Sequence, residues 1–151
     1  MDYASNQTLI CSVGRTLCSL PLAAVVEAFR PLPVEMVAGA PAFMLGLSII
    51  RGEPVPVVDL SRLLNGNAGS PTRFVVAKAD GRRVALAVDR VVGIRPIAAD
   101  RMQQLPPLLR DADAAIVSAI GTLDNALFLM LQASRIVPED FFDASARRLA
   151  S

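Results

Sequence analysis

The chain contains no histidine and no tryptophan, a single lysine, Lys78, and a single tyrosine, Tyr3. Without histidine, a Ser–His–Asp triad, a Cys–His pair and an imidazole metal site cannot be assembled from this chain. Nor is there an excess of charge of one sign: 15 basic residues face 14 acidic ones, a formal net charge of +1 over 151 residues. A near-neutral chain with few aromatics lacks the electrostatic footprint of a nucleic-acid binder. No Gly-rich phosphate loop and no dinucleotide fingerprint occurs. Long apolar runs are missing too. The longest uncharged stretch, Met36 to Ile50, is interrupted by Gly39, Pro41 and Gly46 and is too short for a bilayer core about 30 Å thick. The first residues, Met1-Asp2-Tyr3-Ala4-Ser5-Asn6-Gln7, carry neither the basic nor the apolar region of a secretory signal. These absences lead us to expect a soluble protein of the cytoplasm, with no cofactor and no metal.

What the chain does have is apolar surface: 53% of its residues are hydrophobic, which excludes disorder. Two explanations stand side by side. Part of the excess belongs to an interface, or it is mostly small alanine, 23 residues that add little area.

Val, Ile and Leu fall in short runs punctuated by turn residues. The runs predict strands over Thr8–Val13, Thr16–Leu20, Val25–Phe29, Leu45–Ile50, Val55–Asp59, Arg73–Ala79, Arg83–Val88, Val91–Arg95, Ile116–Thr122 and Leu127–Leu131. Ten short strands with little helical periodicity argue for an all-β barrel or sandwich. Asp80-Gly81 is a tight-hairpin signal, and Asp124-Asn125 does similar work. Asn65-Gly66-Asn67-Ala68-Gly69-Ser70-Pro71 is the clearest loop and divides the chain near its middle. A helix is expected over 138–149, with Phe141, Phe142 and Leu149 as its apolar contacts.

A faint duplication runs across that loop. Gly14-Arg15, Val25-Val26, Arg30-Pro31 and Ser61-Arg62 in the first half are answered, in the same order, by Gly81-Arg82, Val91-Val92, Arg95-Pro96 and Ser134-Arg135. Two similar β subdomains of about seventy residues follow, with a boundary near residues 65–71. Since domains of about 60 residues are marginal alone, the two must pack on each other. The seam between them is a natural partner site.

Few residues offer chemistry. With Gly14-Arg15 as a two-residue turn, Cys11 and Cys18 face each other across a hairpin. They form a redox pair or metal clip, or they are two small buried hydrophobes. Asp59 and Asp89 each end an apolar strand; they are an acid–base pair, or Asp59 caps a short helix while Asp89 serves a turn. Arg73, Arg82, Arg83, Arg90 and Arg95 read as a solvated strand face. Arg51 is the most informative charge. It sits on a tight turn in Gly46-Leu47-Ser48-Ile49-Ile50-Arg51-Gly52-Glu53-Pro54-Val55-Pro56-Val57-Val58-Asp59-Leu60, either as an anchor for a partner's carboxylate or carbonyls or as a local partner of Glu53.

This run resembles the signature of the CheW family of chemotaxis coupling proteins, approximately G-x-x-N-L-R-G followed by P-V-V-D-L. Gly46, Arg51, Gly52, Pro56, Val57, Val58, Asp59 and Leu60 fall on it in register. Leu20-Pro21-Leu22 with Val25-Val26-Glu27, Leu86-Ala87-Val88-Asp89-Arg90-Val91, Leu105-Pro106-Pro107-Leu108-Leu109 and Leu127–Val137 extend the resemblance over nearly the whole chain. It implies a single domain over 1–151 made of two intertwined, five-stranded, SH3-like barrels around a shared apolar core. It also implies an adaptor and not an enzyme, recruited to membrane-associated receptor arrays. Such a protein binds the regulatory domain of a CheA-type histidine kinase and the cytoplasmic hairpin tip of a chemoreceptor. On the matching positions, Arg51, Gly46, Phe74, Val91 and Ile94 are expected at the receptor, and Val25 and Glu27 at the kinase. The family's Asn-Leu before the Arg is here Ile49-Ile50. That departure fits a divergent member serving a dedicated receptor, or an array of surface or pilus motility. From another class, a small β-barrel enzyme or ligand binder would use Asp59, Asp89 and Cys18.

Overall fold

Eleven strands and one short helix make up the architecture of the residues that the structure, a computed structural model, describes: 7–97, 102–103, 116–123, 126–132 and 135–136. In chain order these are β1 (Gln7–Val13), β2 (Thr16–Pro21), β3 (Val25–Phe29), β4 (Met44–Ile50), β5 (Glu53–Asp59), α1 (Leu60–Asn65), β6 (Arg73–Ala79), β7 (Arg82–Val88), β8 (Arg90–Pro96), β9 (Met102–Gln103), β10 (Val117–Leu123) and β11 (Ala126–Leu131). All ten expected strands are present, each within two residues of its expected ends. The two-residue β9 carried no sequence signal, whereas a 3-10 turn over Leu22–Ala24 lies where the resemblance implies a short helix between Leu20-Pro21-Leu22 and Val25-Val26-Glu27. The turn at Asp124-Asn125, the crossover Leu105–Leu109 and the helix over 138–149 lie outside the described residues.

The strands form two sheets, in the orders β3-β6-β7-β5-β4 and β8-β1-β2-β11-β10-β9. Leaving aside the two-residue edge β9, each sheet has five strands and the same plan. A hairpin (β6–β7 or β1–β2) is inserted between one antiparallel neighbour (β3 or β8) and one parallel neighbour (β5 or β11). An antiparallel strand, β4 or β10, then lies beyond the parallel one. The duplication is therefore real in three dimensions. The 65–71 loop, however, does not divide the two sheets as expected. It joins α1 to β6 within the chain of one sheet, because each half of the sequence gives its first hairpin to the other half's remaining strands.

The five-stranded sheet curls until its edges meet. After β3 the chain returns to β4, where Glu35 and Leu47 exchange two backbone hydrogen bonds of 2.8 Å.

Buried side chains fall into three groups. One fills the inside of the five-stranded sheet: Ile50, Val55, Val57, Phe74, Val76, Ala85 and Ala87. Another, Ile10, Ile97 and Phe128, lies on one face of the larger sheet. The largest lies between the sheets, where Leu9, Cys11, Val13, Cys18 and Leu20 of one meet Val58, Val75, Ala77, Val84, Leu86 and Val88 of the other. Alternate residues of β5, β6 and β7 thus enter different cores, leaving no solvent face over their central residues. That is why these strands read as continuous apolar runs where a half-exposed strand would alternate. The shared core implied by the resemblance is present.

Candidate functional site

The β4–β5 hairpin presents the most prominent charge. Arg51 has φ +56° and Gly52 φ +80°, the pair of left-handed residues that a type I′ turn requires. Asn or Gly is the usual first residue of such a turn, so an Arg held there is set by something other than local preference. Its side chain, 72% exposed, donates from Nε to Glu27 Oε2 at 3.2 Å and from Nη2 to Glu27 Oε1 at 3.0 Å. The partner is therefore Glu27 on β3, not the local Glu53 that the sequence offered. The curl of the sheet brings β3 and the β4–β5 turn together, which spacing along the chain does not disclose. Hydrogen bonds from Arg51 hold the Glu27 carboxyl below the usual carboxylate range, and the charges of Arg51 and Arg83 act in the same direction. Arg51 is raised in turn, chiefly by its hydrogen bonds to Glu27.

The other residues expected at a receptor are placed differently. Phe74 is 2% exposed and lies in the interior of the five-stranded sheet, its ring centroid 6.4 Å from that of Phe29. Its position on β6 opposite Ala87 and Phe29 gives it room inside and no route to the surface. Phe74 is thus a core residue of the five-stranded sheet. Gly46 is buried at a bulge in β4 with φ +144°. A Cβ there would run into the backbone of Glu35 and come within 2.9 Å of Val34 Cγ1. Gly46 is needed for the close approach that shuts the sheet, and it offers a partner no side chain. Val91 and Ile94 belong to β8 of the other sheet; Val91 packs on the shared core, and Ile94 is exposed. Val25, at the start of β3, also packs partly on the shared core. Of the expected set, the structure joins Arg51 and Glu27, and it leaves Ile94 exposed on the second sheet.

The carboxylates are engaged by backbone. Asp59 Oδ1 accepts the Arg62 N–H at 3.3 Å, capping α1, and Oδ2 accepts that of Gly69 at 3.1 Å. Asp89 Oδ2 accepts the Gly14 N–H at 2.7 Å and Oδ1 that of Ser70 at 3.1 Å. Both carboxylates thus flank the 66–71 loop, and Asp89 also ties it to the β1–β2 turn. Asn65 adds to this lock by donating to Val13 O at 3.1 Å and accepting from Thr16 Oγ1 at 2.7 Å. The sequence marked Asn65 as the first residue of the loop but gave no sign of its part in this lock. The depression beside it, about 420 Å³ and lined by Thr16, Asn65, Asn67 and Ser70 among others, is open, and Thr16 and Asn65 in its wall are bonded to each other.

Cys11 and Cys18 are register partners, as expected, and both are free, buried thiols. Burial pushes the Cys11 thiol up to about 12 and raises that of Cys18 further. Thiols so far from ionisation behave as small hydrophobes. Among the described residues, no helix is long and apolar enough to cross a membrane.

Comparison with known proteins adds an independent line. A family model described as the CheW-like domain matches residues 7–141. The chain is 26% identical over 148 residues to a chemotaxis protein CheW of Rhizobium meliloti (strain 1021), covering 96% of each chain. It is 35% identical over 122 residues to the protein FrzA of Myxococcus xanthus, covering 78% of this chain and 74% of that protein. In fold it is similar to the scaffolding protein TtCheW of Thermoanaerobacter tengcongensis, with a TM-score of 0.76 and 22% identity over 85% of this chain and 89% of that one. With a family match that spans both sheets, and a fold built on the same plan, the chain belongs to the CheW-like domain family.

Proposed function

We propose that the protein is a non-enzymatic adaptor that couples chemoreceptors to a CheA-type histidine kinase, working in the cytoplasm at membrane-associated receptor arrays. The observation that carries this reading is the Arg51 turn. A guanidinium stands exposed on a rigid hairpin, while the groups that would serve catalysis are buried or bonded to backbone. Arg51 is the receptor-side anchor: the exposed guanidinium N–H groups that Glu27 does not use fit a carboxylate or a carbonyl pair on a helical hairpin. Ile94 supplies exposed apolar area on the second sheet. Glu27, with Val25 beside it on β3, belongs to the kinase side. Phe74 and Gly46 act through the shape of the sheet that carries Arg51.

The test is a binding measurement with a kinase regulatory domain and a receptor cytoplasmic fragment, each titrated against the wild-type protein and Arg51→Glu. The expected result is a far larger loss of the receptor complex than of the kinase complex. If Arg51→Glu left receptor binding and kinase control intact, the assignment would fail.

A further inference from the structure

Two residues before Arg51, where the family signature carries Asn, this chain carries Ile49. Ile49 lies on β4, an edge strand, and is 62% exposed. Across the hairpin it faces Pro54, also exposed. Counting outward from the two-residue turn, Ile50 and Glu53 form a hydrogen-bonded pair, so Ile49 and Pro54 form a non-hydrogen-bonded one. Side chains approach most closely in such a pair. Pro54 has no N–H to offer, and a non-hydrogen-bonded position is where that costs nothing. Ile49 and Pro54 therefore make an exposed apolar pair one step from the Arg51 turn.

The backbone of Ile49 points the same way. Leu47, two residues earlier, directs its N–H and C=O away from β5 and satisfies both on Glu35. Ile49 directs its own groups to the same edge. Continuing the Glu35–Leu47 register places Pro33 opposite Ile49, and proline has no N–H for the Ile49 carbonyl. The Pro33 carbonyl accepts from Ser48 Oγ at 2.6 Å. The edge beside Arg51 thus carries an exposed branched side chain that cannot hydrogen-bond, where an amide would both donate and accept.

The geometry points to Ile49 as a specificity residue of the receptor-facing edge. The partner it fits is a receptor hairpin tip that presents an apolar side chain to the Ile49–Pro54 patch and an acceptor to Arg51. A tip carrying a polar side chain at that contact is rejected, because burying it against Ile49 leaves it unpaired, at a cost of about tenfold to a hundredfold in affinity. This inference rests on the proposed receptor-binding role of Arg51 and names the chemistry of its partner.

The experiment measures the affinity of a receptor cytoplasmic fragment for the wild-type protein, Ile49→Asn, Ile49→Val and Arg51→Glu. Each is repeated with fragment variants in which one apolar side chain of the tip is replaced by Gln, and sedimentation of the adaptor alone is recorded. Ile49→Asn is expected to weaken the native fragment about tenfold, Ile49→Val to leave it within twofold, and one Gln variant of the tip to bind Ile49→Asn better than wild type. That reversal of preference is something a merely structural role would not produce. If Ile49→Asn binds every fragment as wild type does while Arg51→Glu does not bind, the specificity inference is overturned and the receptor reading stands. If Arg51→Glu also binds normally, the receptor reading itself falls. A self-associating wild type that Ile49→Asn turns into a monomer, with receptor binding unchanged, would instead assign the patch to a second copy and overturn the inference.

Discussion

Arg51 and Glu27 hold each other by two hydrogen bonds, at 3.0 and 3.2 Å, although they come from a turn and a strand twenty-four residues apart in sequence. The pair spans the two edge elements of the five-stranded sheet, β3 and the β4–β5 hairpin. Residues that the family resemblance assigns to two different partners are thus in direct contact. A change at either one alters the rotamer available to the other.

Glu27→Gln and Arg51→Gln should each change the affinity for both partners, and the double variant should lose less than the sum of the two. A double-mutant cycle on each binding reaction checks this, because additivity is expected only for residues that do not touch. The ion pair is exposed, so its contribution to folding should be small and should fade in high salt. Its pH sign is fixed by the lowered Glu27 carboxyl. The stabilisation is present above the ordinary carboxylate value and disappears as pH falls through the depressed one. Acid titration of stability for wild type and Glu27→Gln reads this directly.

Gly46→Ala should destabilise the fold by about 2–4 kcal/mol, from overpacking against Glu35 together with an unfavourable φ. Urea denaturation gives the value. The Arg51 turn should be affected in the same variant, because the Glu35–Leu47 bridge that closes the sheet lies beside Gly46.

Phe74→Ala should cost about 3–5 kcal/mol by emptying part of a sealed core. Phe74→Leu should cost less and leave receptor affinity close to wild type at temperatures where the protein is folded. Loss of binding by a fully folded Phe74→Leu protein would show a contact role that the buried ring argues against.

Asp89→Ala should cost about 1–3 kcal/mol, because the Gly14 and Ser70 N–H groups lose their acceptor. Amide exchange should accelerate first at the β1–β2 turn and the 66–71 loop. Protection unchanged at both would contradict the lock.

Cys11 and Cys18 should resist a thiol reagent in the native protein at pH 8 and react only as it unfolds. With the Cys11 thiol moved from 9.0 to about 12, unfolding exposes a group that ionises more readily. Stability is therefore fully present below the ordinary thiol value and declines as pH rises from there toward the folded one. Alkaline denaturation of wild type against the double Ser variant tests the sign.

The sequence by itself determined the strands, because runs such as Val55–Asp59 and Arg83–Val88 are bounded by Gly, Pro and Asp signals whose meaning is local. It also determined the opposition of Cys11 and Cys18, the cap at Asp59 and the duplication, since each follows from spacing within one hairpin, one turn or one repeat. Only the tertiary structure decided which hairpin belongs to which sheet, because each half completes its sheet with strands from the other. That exchange buries β5, β6 and β7 on both sides, sends Phe74 inward and makes Gly46 a point of backbone contact. It was also the curl of the sheet, and no feature of the Arg51 turn, that chose Glu27 over Glu53. Local spacing carries the strands because their signals act within a few residues. The partners of side chains on different strands depend on how the sheets close, and that closure is settled by packing across the whole chain.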